Sequence, residues 1–342
     1  MNFSVGFRLR DEYEKPFSEI VSEYRDKVSE IFFSWRDIPN GRSNVLSVNG
    51  FADPETEKKT ERELRLIKDM GVKLDLLFNG NCYGDEAISN KLSDTVRSTV
   101  EHLEGVGGVD IITTTSPAIA HVMRTYFPNI EVRASVNMRI GTVKGMEYMA
   151  ELFDSFHVQR DYNRDLARLR ELKSWADENG KKLIMLANSG CFAFCSGQTF
   201  HDNLVSHESG VCKMSNMEDF MPYVCWNMLK SRDNWPMLLQ NTWVRPEDLH
   251  NYEGLFDTVK LATRMHERPE LVIGAYARGY HVGNTLDLFE PGQGRAIRPY
   301  IIDNTAFPKD WFEKTTGCDK NCHKCNYCKS VLEKVLLNIE EY

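Results

Sequence analysis

The passage Val109-Asp-Ile-Ile-Thr-Thr114, followed by the helix-length stretch Ala118–Phe127 and then by Glu131-Val-Arg-Ala-Ser-Val-Asn137, decides the fold. A short β-rich run, a segment of helical periodicity and a second short run make one β–α–β unit. Working outward, the same alternation recurs through most of the chain. The β-rich runs are Phe3–Phe7, Glu30–Ser34, Lys73–Asn79, Val109–Thr114, Glu131–Asn137, Ser155–Arg160, Lys182–Asn188 and Asp257–Thr263. Helical stretches such as Thr56–Met70, Glu86–Leu103, Val143–Phe153 and Asn163–Asn179 stand between them, and Gly71, Gly105 and Gly180 mark helix ends. Leu183-Ile-Met-Leu186 is a continuous apolar run of the kind buried parallel strands show. Eight alternations predict an α/β fold, a (β/α)8 TIM-like barrel.

The regularity fails in two places, and both are rich in cysteine. Residues 189–256, between the seventh and eighth runs, form an insertion holding Cys191, Cys195, Cys212 and Cys225. Arg268–Tyr280 reads as the closing helix, after which the chain is punctuated by Gly and Pro and then carries Cys318, Cys322, Cys325 and Cys328. We therefore expect a barrel over residues 1–290 and a Cys-rich, metal-binding extension over 291–342. Lys329–Tyr342 is expected to be an amphipathic terminal helix, with Val331, Leu332, Val335, Leu336 and Ile339 on its apolar stripe.

Composition narrows the function classes. The 342 residues are 42% apolar and 27% charged, which fits a globular protein with a sizeable core. A net charge of −8 argues against RNA or another long polyanion as partner and leaves a local basic patch as the route to one. The amino terminus lacks a signal-peptide pattern and no run of about 18 apolar residues occurs, so the expectation is a cytoplasmic protein without a membrane span. In that reducing compartment nine cysteines are better explained as metal ligands than as disulfides. The sequence has no glycine-rich phosphate loop, no Gly-x-Ser-x-Gly elbow and no His-Glu-x-x-His pair.

A barrel of this kind carries its chemistry at the carboxyl ends of its strands. Cys191-Phe-Ala-Phe-Cys195 follows a strand end directly, and Cys225 arrives thirty residues later. Thiolates are the terminal ligands of iron–sulfur clusters, normally four in number. Cys82, in the loop after the third strand, is the expected fourth, with Cys212 as a bystander. In the tail, steps of four, three and three are closer to ferredoxin-like spacing than to a zinc ribbon, so a second [4Fe-4S] cluster is favoured and zinc is retained. Cys318, Cys322 and Cys325 also match the spacing of radical S-adenosylmethionine enzymes, but that motif belongs after the first barrel strand, where this chain has no cysteine. Arg139, Arg160, Arg245 and Arg264 fall at strand ends or in the insertion and are expected to form an anion-binding wall for a small carboxylated substrate. His201, His207 and His250 are weaker candidates for proton donors, and no residue is singled out as the catalytic one.

Asn188-Ser-Gly-Cys191-x3-Cys195, Cys225, Trp243-Val-Arg-Pro-Glu-Asp-Leu249 and Lys260-Leu-Ala-x-Arg264 resemble the collagenase-like peptidase family, a peptidase class of unknown catalytic type. The likeness runs from the start to about residue 290. It implies a (β/α)8 barrel and a four-cysteine iron–sulfur protein. It further implies oxygen-independent hydroxylation, of the ubiquinone ring, transfer RNA uridine or ribosomal RNA cytidine, with prephenate as oxygen source. The Cys318–Cys328 tail lies outside the family's familiar pattern. Two other readings are kept: a peptidase or hydrolase with a structural metal, and a non-catalytic iron–sulfur subunit partnered by a second barrel protein.

Overall fold

The computed structural model describes residues 1–35, 38–39, 47–48 and 51–341. All eight expected runs are strands of one closed parallel barrel: β1 (Asn2–Gly6), β2 (Val28–Phe33), β3 (Lys73–Phe78), β4 (Ile111–Thr114), β5 (Glu131–Ala134), β6 (Ser155–His157), β7 (Lys182–Leu186) and β8 (Thr258–Leu261). Each pairs with its sequence neighbour, and β1 closes on β8 with Phe3 opposite Val259 and Val5 opposite Leu261. The helices between them begin where the sequence supplies caps. The Asp53 side chain accepts from the Glu55 and Thr56 amides ahead of Pro54–Asp69, and Ser116 accepts from the Ile119 amide ahead of Pro117–Tyr126. Among the described residues no helix is long and apolar enough to cross a membrane.

Two apolar cores and one polar one result from this arrangement. The larger apolar core lies between strands and outer helices, where Leu74, Leu76, Val132, Ala134, Val259 and Leu261 face Ile67, Val96, Ile119 and Val272. Alternate strand residues point the other way, into the barrel, and there the chain places charge. Arg133 on β5 reaches across to Glu30 on β2, its Nη1 donating to Oε2 at 2.7 Å and its Nη2 to Oε1 at 3.2 Å. Arg133 also donates to Glu131 at 2.8 Å and to Ser155 Oγ at 3.1 Å, and Thr113 Oγ1 donates to Asp75 at 2.8 Å. Burial pushes Asp75 up to about 6 against the pull of Arg133 and Lys260, and the same burial brings Lys260 down to about 8. Strands β2 and β5 are not neighbours in the barrel, so the Arg133–Glu30 pair braces it through the middle.

The second apolar core sits beside the barrel and is built from segments far apart in sequence. Phe192, Leu229, Leu238 and Trp243 come from the insertion, and Ile302, Trp311, Val331 and Val335 from the extension. Trp243 is its centre, stacked on Phe289 at 4.8 Å and on Trp311 at 5.9 Å, with Arg164 over its ring at 4.4 Å. The terminal helix is shorter than expected. It spans Tyr327–Val335, after which the chain turns extended as β10 (Leu336–Asn338) and pairs antiparallel with β9 (Tyr300–Ile302). Val331, Leu332 and Val335 are buried as the stripe required, whereas Ile339 lies beyond the helix and is 55% exposed.

Removing one member of a buried charge pair strands the other in low dielectric. Arg133→Met should therefore lower the unfolding free energy by about 3–5 kcal/mol in urea titrations. The double variant with Glu30→Gln should lose less than the sum of the two single changes.

Candidate functional site at the barrel mouth

The loop that carries Cys191 and Cys195 is fixed at its root by Asn188. The Asn188 side-chain amide donates to the Ala262 carbonyl at 2.8 Å and to the Leu288 carbonyl at 3.0 Å, and its oxygen accepts from the Ala262 amide at 2.6 Å. Three contacts from one buried side chain thus lock the end of β7 to the end of β8. At Gly190 the chain passes so close to Pro291 that an added Cβ would lie 2.2 Å from that carbonyl oxygen, so no other residue fits without backbone movement. Farther along, Phe194 adopts a left-handed φ of 52°, and its amide donates to the Asp161 carboxylate.

This pinned loop is the shared wall of two cavities. On one side a chamber of 340 Å³ is lined by Cys191, Cys195 and Cys225 together with Arg160, His201, Glu208, Met265 and Glu290. Burial raises Cys225, and the neighbouring Cys191 adds to the rise. On the other side a cavity of 210 Å³ is lined by Phe192, Phe194, Arg164, Cys318, Cys322 and Cys328. Phe192 faces both. Burial pushes Cys328 up to about 11, although Arg164 opposes this. Arg164 itself is buried and donates to the Trp243 carbonyl at 2.7 Å and to the Leu239 carbonyl at 2.9 Å. Among the described residues it has no carboxylate within ion-pair distance.

The remaining cysteines stand elsewhere. Cys82 is half-buried on the loop after β3, where its sulfur accepts from the Gly84 amide at 3.4 Å, and it does not line the chamber of Cys191. That loop still touches the insertion, since the Asn81 amide donates to Ser206 Oγ at 2.8 Å. Cys212 is exposed, and so is Cys325. Among the described residues, no three thiols have their sulfurs all within 4.8 Å of one another; Glu57, Glu61 and His102, on two outer helices, do form a group that close.

Three of the four expected arginines gather at the mouth. Arg160 lines the thiol chamber and also a narrower pocket of 80 Å³ beneath it, which Arg264 lines too. Burial opposes the charge of Arg160, but Cys191, Asp202 and Asp161 around it outweigh that and favour the charged form. Arg139 stands at the edge, donating to Thr199 Oγ1 at 3.3 Å and to Asp202 at 3.5 Å. Arg245 stands apart. Its fork is taken by Asp248, with Nε and Nη2 each 3.0 Å from a carboxylate oxygen, and its guanidinium lies 4.7 Å over the Phe307 ring. It lines neither the chamber nor the pocket below. Lys260, Asp202 and Glu290 complete the lower pocket without having been expected there. For Lys260 a signal existed in the sequence: a lysine in the inward phase of the strand Thr258-Val-Lys-Leu261 has little reason to be inside a barrel unless charge is wanted there.

No family model matches the chain. In sequence it is similar, at 24% identity over 280 residues and 80% of each chain, to a protein from Methanocaldococcus jannaschii named uncharacterized protease MJ1657. In fold it is similar to the solved U32 peptidase Mk0906, with a TM-score of 0.52 and 17% identity over 77% of this chain and 92% of that one.

Because Arg245 is engaged by Asp248, Arg245→Lys should act on stability and not on ligand affinity. The loss of a bidentate charged contact should lower the unfolding free energy by about 1.5–3 kcal/mol, while small-carboxylate affinity measured by calorimetry stays at the wild-type value.

Proposed function

We propose that this chain is a metal–thiolate (β/α)8 enzyme of the collagenase-like, U32 peptidase family. In this reading an iron–sulfur centre occupies the chamber of Cys191, Cys195 and Cys225, and the reaction is redox chemistry of the oxygen-independent hydroxylation type on a small carboxylated molecule. The observation that carries the reading is the convergence of three thiols with a buried arginine in one chamber at the carboxyl ends of the strands. Family membership is supported by the similarity to the uncharacterized protease and by the fold of the U32 peptidase. The donor set fits a cluster, since soft thiolates suit iron and sulfide. The fourth position falls to Cys82 by a movement of its loop, or to a non-cysteine group already in the chamber, such as His201 or Glu208. When bound, such a centre supplies electron transfer. The chain's own residues would orient the substrate through Arg160 and Arg264 and exclude solvent with Phe192, Tyr223 and Trp226.

For the tail we propose a second metal–thiolate centre on Cys318, Cys322, Cys325 and Cys328. Arg164 supports it, because a buried guanidinium that meets carbonyls and ring faces but no carboxylate is suited to a nearby anion, and a thiolate-ligated metal beside Cys318 and Cys328 would be one. The thiol spacing favours a cluster over zinc. The tail's steps of four, three and three residues are close to those of a ferredoxin-like site.

A hydrolytic reading also has support, since both the sequence relative and the structural neighbour are named as a protease or peptidase.

Anaerobic purification with iron, sulfide and zinc analysis tests the reading. The expected product holds iron and acid-labile sulfide, and Cys191→Ser with Cys195→Ser removes about one cluster's iron while tail metal remains. Unchanged iron in that double variant would sink the central site. Peptide hydrolysis by metal-free protein would favour the hydrolytic reading instead.

A further inference from the structure

The pocket below the thiol chamber is distinct in size and in charge. It holds 80 Å³ against 340 Å³ above, and the two share Arg160, Cys191, His201, Val205 and Glu290. The lower pocket is the smaller of the two and has room for a small polar group. Lys260 forms part of its wall. This lysine is only 7% exposed, its ammonium lies 3.8 Å from the centre of the Phe32 ring, and no carboxylate among the described residues is within 4 Å of it. At the rim, Arg160 is equally buried and its Nε has no hydrogen-bond partner. Three cationic side chains, Lys260, Arg160 and Arg264, thus line this pocket against two carboxylates, Asp202 and Glu290, which leaves its wall net cationic and suited to a small anionic group. The chamber above is different in kind, walled by Phe192, Tyr223, Trp226, Met265 and Pro291.

We propose that Lys260 is the substrate-anchoring cation of this protein, holding the carboxylate of a ring-bodied carboxylic acid in the lower pocket while Arg160 binds the same group at the rim. The body of the ligand then lies in the upper chamber against the thiols. This rests on the reading of the barrel mouth as the substrate chamber, but not on any metal being bound. Lys260 binds and positions; no bond is made or broken by it. The charged groups around it are Asp75 from β3, Glu30 from β2, Arg133 from β5 and Arg264 beyond β8, together with Arg160, Asp202 and Glu290 across the pocket, and His157 from β6 is held neutral by burial. Burial holds Lys260 down to about 8, so carboxylate binding, which needs the ammonium, weakens above that pH.

The test is a ligand-observed NMR titration of the anaerobically isolated protein with phenylacetate, with 2-phenylethanol and inorganic phosphate as comparison probes and metal content recorded in parallel. Phenylacetate should bind at pH 7 at least tenfold more tightly than 2-phenylethanol and should lose at least tenfold in affinity by pH 9.5. Lys260→Met should lose at least tenfold at pH 7. Lys260→Arg, which keeps the charge and does not titrate, should bind within a few-fold of wild type and show no loss at pH 9.5, and it guards against a methionine variant that fails to fold. Equal binding of acid and alcohol, wild-type affinity in Lys260→Met, or an undiminished pH dependence in Lys260→Arg would each overturn the assignment; the last would move the titrating group to Cys191. Phosphate competing as well as phenylacetate would overturn the carboxylate choice. Binding without iron would leave this inference standing and remove the cluster, whereas iron without binding would do the reverse.

Discussion

The stack centred on Trp243 is the contact on which both thiol sets depend. Its indole is held between Phe289 and Trp311, and Arg164 caps it while reaching toward the tail cysteines. Trp243 belongs to the insertion, Phe289 to the segment after the closing helix and Trp311 to the extension, so one packed column joins three regions of the chain. Large aromatic faces at these separations contribute burial and quadrupole alignment together. Without the column the loop of Cys191 would still be tied to β7 and β8 through Asn188 and to Asp161 through the Phe194 amide, but Phe192 would lose part of the core it packs in.

The barrel interior obeys a different economy. A (β/α)8 barrel is ordinarily filled by branched apolar side chains in layers. Here Glu30, Asp75, Arg133 and Lys260 take such positions, and each is at most 7% exposed. The fully satisfied arginine braces the barrel at depth, while Lys260, nearest the mouth, is left with a ring for company. Buried charge is tolerable where partners surround it and informative where they do not.

Most of the barrel was legible because buried parallel strands advertise themselves. Runs such as Leu183–Leu186 are continuous in apolar character, glycines mark the helix ends, and every expected strand is present. The second core was not legible, since Phe192, Trp243, Phe289, Trp311 and Val335 share no period and meet only in three dimensions. The terminal helix ended early for a related reason: helical periodicity continues through Ile339, but β9 offers backbone partners that Leu336–Asn338 accepts. Among the site residues, Arg160, Cys191 and Arg264 follow closely on strands, whereas Cys225 reaches the same chamber from the insertion. Arg245 was misplaced because sequence shows the basic residue and not the carboxylate three positions on that occupies it.

The tail cysteines occupy a segment moored at both ends, by the helix Trp311–Thr316 on one side and by Tyr327–Val335, continued into the β9–β10 ribbon, on the other. A free peptide that wraps four thiols around an ion must first surrender the freedom of its whole backbone. Here that surrender is made by apolar packing before any ligand arrives, and only the short span between the two moorings is left to order. If the tail holds metal as proposed, the hairpin is a chelate whose arms are already set, and capture and release at it need not unfold the protein around it.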